Sequence, residues 1–84
     1  MVALNKNCLS ASIGRQIRKF RILRGLSREE LGAKVGVCRQ AVCKWEMGQR
    51  LITISNLYKV SKALNIKPDD LMQEYLKECK ERSM

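Results

Sequence analysis

The span from Ser27 to Gly48 constrains the fold more than any other part of the chain. It has room for two short helices and one tight turn. Ser27 and Glu30 form an S-x-x-E capping box, in which each side chain satisfies a free backbone amide at a helix start. Leu31 and Val35 follow four apart and share an inward face. Gly36 ends that helix. A second one runs from about Arg39 to Glu46, with Val42 and Trp45 on its buried side, and Met47-Gly48 stops it. Two helices of about eight residues joined by Gly36-Val37 must cross at a steep angle. Gly32 and Ala41 are small enough to keep their contact close.

The same punctuation continues on both sides. Before Ser27, a helix is expected from about Ala11 to Leu23, with Ile13, Ile17 and Phe20 at three- and four-residue spacing and Gly25 as its stop. After Gly48, Thr53 is a good N-cap for a helix whose stripe is Leu57, Val60 and Leu64, closed at Asn65. Pro68 suits the first position of a last helix, and Asp69 and Asp70 suit its positive end. Leu71, Met72, Tyr75 and Leu76 line that helix. No alternating apolar–polar run is long enough for a sheet. The expected fold is all-α, a compact five-helix bundle. The expected division is a flexible arm over 1–10, a single domain over 11–77 and a tail over 78–84. A chain of 84 residues fits one domain, and a core this small favours local helix contacts.

Charge narrows the partner. The chain carries a net +9, and residues 15–50 hold ten Lys and Arg against three Glu. The stretch from Asp69 to Glu81 mixes both signs. A basic region beside a mixed one fits an anionic partner, either nucleic acid or a membrane surface. No apolar run approaches membrane-spanning length, and residues 1–12 lack the pattern of a signal peptide. The four cysteines, Cys8, Cys38, Cys43 and Cys79, therefore read as reduced thiols in a cytoplasmic chain. With no histidine and no CxxC pair, neither a metal site nor a cofactor is expected. The missing histidine and the lack of GxSxG, P-loop or dinucleotide fingerprints leave no candidate enzyme site. No small-molecule ligand site is evident either.

The helix from Arg39 to Glu46 carries the chemistry. Opposite Val42 and Trp45 it presents Arg39, Gln40, Cys43 and Lys44. Arg and Lys match O6 and N7 of guanine in a major groove, and Gln matches N6 and N7 of adenine. In contrast, the spacing of Trp45 from Val42 makes it a core residue rather than a base-stacking one.

Taken in order, these elements resemble the phage-repressor type (XRE-like, Cro/cI-like) of helix-turn-helix family. The matching residues are Ile13-Gly14-x-x-Ile17-Arg18, Arg21, Gly25-Leu26-Ser27, Glu30-Leu31, Gly36-Val37, Val42-x-x-Trp45-Glu46-x-Gly48, and Leu57 to Leu64 followed by Leu71. The resemblance implies a sequence-specific DNA-binding regulator of transcription, bacterial or phage-encoded. Its economical form is a repressor that binds a palindromic operator as a homodimer. Arg39, Gln40 and Lys44 fall where the family reads bases. Arg28, Cys43, Gln49 and Arg50 fall where it contacts phosphate. Arg21 and Glu46 match a partly buried ion pair between the first helix and the end of the third. The alternative is an antitoxin-type DNA-binding protein whose main partner is another protein. A basic peripheral membrane protein would need an exposed amphipathic helix, but the apolar face of the first helix is needed for the core.

Several positions depart from the family pattern. Cys38 replaces the usual Ser or Thr cap, Cys43 a common Ser, Gly32 a common Ala, Ile52 a frequent Pro and Met47 a polar residue. Gly32 is expected to weaken its helix by roughly 1 kcal/mol unless packing requires it. A redox switch at Cys38 and Cys43 is set against the plainer reading that they stand in for serine. For a dimer contact, the stripe from Leu71 to Cys79 is the first candidate, and packing back onto the first helix is the alternative.

Overall fold

The computed structural model describes the backbone of residues 6–73 and the side chains of residues 9–73. Helix α1 spans Lys6–Leu23, α2 Arg28–Val35, α3 Arg39–Glu46 and α4 Ile54–Ala63. Residues 68–73 are helical and belong to a fifth helix, α5. There is no strand among the described residues. The fold is the five-helix, all-α arrangement expected, with α3 packed on α1 and α2, and α2 also on α4.

Local chemistry explains most boundaries. The Ser27 hydroxyl accepts from the Glu30 amide at 3.0 Å, and the Ser27 amide donates to Glu30 Oε1 at 2.9 Å, so the capping box is complete. Gly36 adopts φ 87°, a left-handed conformation natural to glycine, and both Gly36 and Val37 amides donate to the Gly32 carbonyl. Thr53 accepts from the Asn56 amide at 3.2 Å and opens α4. At the start of α5 the Lys67 amide donates to Asp70 Oδ2 at 3.1 Å. Cys38 holds the cap position of α3 but makes no side-chain cap bond, as expected of a thiol.

The core is one cluster. Ile13 and Ile17 from α1, Leu31 and Val35 from α2, Val42 and Trp45 from α3, and Leu57, Val60 and Leu64 meet there with Ile52 and Leu71. Ile52, at the position where proline was noted as frequent, is therefore a core residue.

Two expectations need correction. The first helix begins at Lys6, not near Ala11, so residues 6–10 of the supposed arm are helical. Leu9 lies four residues before Ile13 and packs against the core, which extends the stripe by a turn. Gly32 is not a weakness. A Cβ there would lie 2.7 Å from the Val37 carbonyl oxygen, so the approach of α2 to the turn requires glycine. Arg24, one residue past the end of α1, ties that helix to the end of α4. Its Nε donates to the Leu64 carbonyl at 2.8 Å and its Nη2 to the Asn65 carbonyl at 3.5 Å, which satisfies carbonyls left free at the end of α4.

The proposed dimer stripe divides. Leu71 is fully buried and Met72 packs against the core. Both therefore belong to the shared core. Tyr75, Leu76 and Cys79, together with residues 74–77 of the expected domain and the tail over 78–84, lie outside the described residues.

Candidate nucleic-acid interface

Helix α3 is two-faced. Val42, Trp45 and Glu46 are buried, whereas Arg39, Gln40 and Lys44 are exposed and Cys43 is half-buried. The three expected base readers therefore share the outer face of one short helix held by its core side. Gln49 and Arg50 are exposed just past its end, where the Gln49 amide donates to the Lys44 carbonyl at 2.9 Å.

Glu46 anchors the site from beneath. Its side chain is 1% exposed and accepts from three guanidinium nitrogens. Arg21 donates through Nε to Oε2 at 2.6 Å and through Nη2 to Oε1 at 3.2 Å, in a forked pair. Arg21 also donates through Nη1 to the Leu26 carbonyl at 2.8 Å. A buried carboxylate needs this degree of compensation. The expected Arg21–Glu46 pair is thus present, but with a third member. Arg28 Nε donates to Glu46 Oε1 at 3.1 Å. Arg28, expected at phosphate, is half-buried and anchored, so its guanidinium starts from a fixed position. Two guanidiniums against one carboxylate leave this cluster with an excess of one positive charge.

Arg28 and Arg39, the first residues of α2 and α3, come together across the turn. With Arg21, Ser27 and Glu29 they line an open depression of about 350 Å³. Glu29 Oε1 lies 3.9 Å from Arg39 Nη1. Gln49 and Arg50 stand apart, at the far end of α3. Neither the Glu29–Arg39 contact nor the Arg28–Glu46 bond was legible in the sequence, because each joins different helices and depends on their crossing.

Cys43 differs from a hydroxyl at the same position. Its Sγ donates to Met47 Sδ at 3.6 Å, one turn along, and Met47 is 61% exposed. Cys38 is an exposed free thiol at the start of the same helix. Glu30, in the first turn of α2, has its carboxyl held below the ordinary value by the hydrogen bonds from Ser27, with a smaller contribution from Lys34. No group of metal-ligating side chains and no helix long and apolar enough to cross a membrane occurs among the described residues.

Two short helices crossing at a glycine turn, the second with a basic, hydrogen-bonding outer face, define a helix-turn-helix domain. Residues 17–71 match the helix-turn-helix family, and the chain belongs to it. It is 33% identical over 70 residues to the HTH-type transcriptional regulator y4wC of Sinorhizobium fredii, covering 83% of this chain and 49% of that protein. The chain spans about half the length of the curated rhizobial regulators it matches. Among solved structures it is similar to the restriction-modification controller protein C.AhdI from Aeromonas hydrophila, with a TM-score of 0.71 and 35% identity over 74% of this chain and 94% of that one. It is also similar to the P22 c2 repressor, solved with a synthetic operator, with a TM-score of 0.68 and 36% identity over 70% of this chain and 89% of that one.

Proposed function

We propose that this chain is a sequence-specific DNA-binding regulator of transcription, acting as a repressor in the cytoplasm. The observation that carries the reading is the outer face of α3, where Arg39, Gln40 and Lys44 are exposed while Val42 and Trp45 hold the helix to the core. A B-DNA major groove, about 12 Å wide, admits such a helix. Arg39 and Lys44 read guanine and Gln40 reads adenine. Arg28, Gln49 and Arg50 contact phosphates on either side, and Cys43, a weak donor, makes the least of these contacts. The family membership and the operator-bound P22 c2 repressor support the assignment.

One such helix spans only a few base pairs, so the working unit is a homodimer on half-sites one helical turn, about 34 Å, apart. Occupying a promoter needs no further part, which favours repression over activation.

The experiment is selection from a randomised duplex pool, with wild type beside Gln40→Ala and Lys44→Ala. A palindromic enriched site that either variant weakens or relaxes is the expected result. Uniform binding that falls steeply with salt and ignores sequence would reduce the chain to a phosphate-attracting surface. In that case a protein partner becomes the better assignment.

A further inference from the structure

The depression between α2 and α3 is lined by three arginines and one carboxylate, and that carboxylate lies beside the one arginine expected to read a base. Arg21 and Arg28 are both bonded to the buried Glu46. Arg39 is not in that cluster. Its nearest anion is Glu29, with Nη1 and Oε1 3.9 Å apart and side chains 62% and 74% exposed. An ion pair this exposed contributes little to folding. Its consequence falls on what binds there.

We propose that Glu29 is a specificity-determining residue, whose carboxylate keeps the Arg39 guanidinium off the DNA backbone and available to a base edge. The inference rests on the DNA-binding reading above and deepens it. An arginine at the first position of a recognition helix has two competing ligands, a charged phosphate and the neutral O6 and N7 of guanine. A phosphate at the Nη1 corner would stand against the Glu29 carboxylate, and two anions at one corner repel. Guanine carries no such charge. The Nη2–Nε edge forms a fork that suits two acceptors on guanine or on a phosphate alike, but a phosphate seated there still meets the Glu29 charge across the small guanidinium, and guanine does not. Glu29 thus penalises the charged, sequence-independent ligand more than the neutral, sequence-dependent one, which is specificity by repulsion of the wrong ligand.

The test is Glu29→Gln, a change of charge without a change of shape, at an exposed position where the fold tolerates it. Affinity is measured at several salt concentrations for the selected operator and for an unrelated duplex, in the wild-type and Arg39→Ala backgrounds. The expected result is tighter binding to the unrelated duplex and a salt dependence steeper by about one phosphate contact. The ratio of specific to non-specific affinity should fall by about tenfold, the worth of one base-pair discrimination. With Arg39→Ala, Glu29→Gln should leave that ratio unchanged. An equal gain on both duplexes would mean that Glu29 acts only through overall charge and would overturn the proposal. So would a loss of specificity that persists without Arg39. A wild type that prefers no duplex overturns the DNA-binding reading itself and this inference with it, and that failure is visible before any variant is made.

Discussion

Arg21 holds Glu46 through two hydrogen bonds, at 2.6 Å and 3.2 Å, although the two residues are 25 positions apart. The pair fastens the end of α3 to α1, and Arg28 extends it to the start of α2. The helix that presents the outer face is therefore fixed at its C-terminal end by a buried charge rather than by apolar packing alone.

Replacing Glu46 by alanine should destabilise the fold by several (about 3–5) kcal/mol, because Arg21 and Arg28 would lose their counter-charge in a buried site. Urea unfolding monitored through the buried Trp45 reports this directly. A loss under about 1 kcal/mol would place the pair among surface salt bridges instead.

Alanine is the better helix former, so propensity alone would let Gly32→Ala stabilise α2 by about 1 kcal/mol. The structure reverses the sign. The new Cβ would press on the Val37 carbonyl oxygen at 2.7 Å, a backbone atom that cannot swing aside as the end of a side chain can. A net loss of about 1–3 kcal/mol is expected, as for other overpacked sites. A raised melting temperature for the variant would show that the turn can relax.

Cys38→Ser should stabilise α3. The residue already has the extended backbone of an N-cap, with φ −79° and ψ 161°, but makes no cap bond. A hydroxyl in place of the thiol satisfies one free amide, worth about 1 kcal/mol. Chemical denaturation of the two proteins under reducing conditions checks it, and equal midpoints would mean that water already serves that amide.

The Ser27–Glu30 box carries a pH signature. The Glu30 carboxyl is lowered chiefly by its bonds to Ser27, so the folded state binds this proton less readily than the unfolded chain. Its stabilising contribution is complete above the ordinary carboxylate value. It is lost as pH falls through the lower folded value. Glu30→Gln keeps an acceptor for the Ser27 amide but cannot titrate. Urea midpoints across that acidic window should therefore fall more in wild type than in the variant, with parallel curves counting against the assignment.

What the sequence determined by itself is what rests on neighbours along the chain. The Ser27–Glu30 box, the stop at Gly36, the Thr53 cap and the stripes of Ile13 and Ile17 or Leu57, Val60 and Leu64 are all separations of three or four residues, which helix geometry converts directly into contact. Those signals were enough for the helix pair and for the outer face of α3. The early start at Lys6 was legible in the same way, through Leu9 four residues ahead of Ile13. The rest depended on how helices cross. Arg28 meets Glu46 across 18 positions, Arg24 reaches Leu64 across 40, and Gly32 is needed only because α2 closes on the Val37 carbonyl. Arginine has a long, flexible side chain with five donors, so its sequence position names no partner. Tertiary packing chose Glu46 for Arg28, the end of α4 for Arg24 and Glu29 for Arg39, because it brought those groups within a few ångströms while burying the faces the sequence had already marked as apolar.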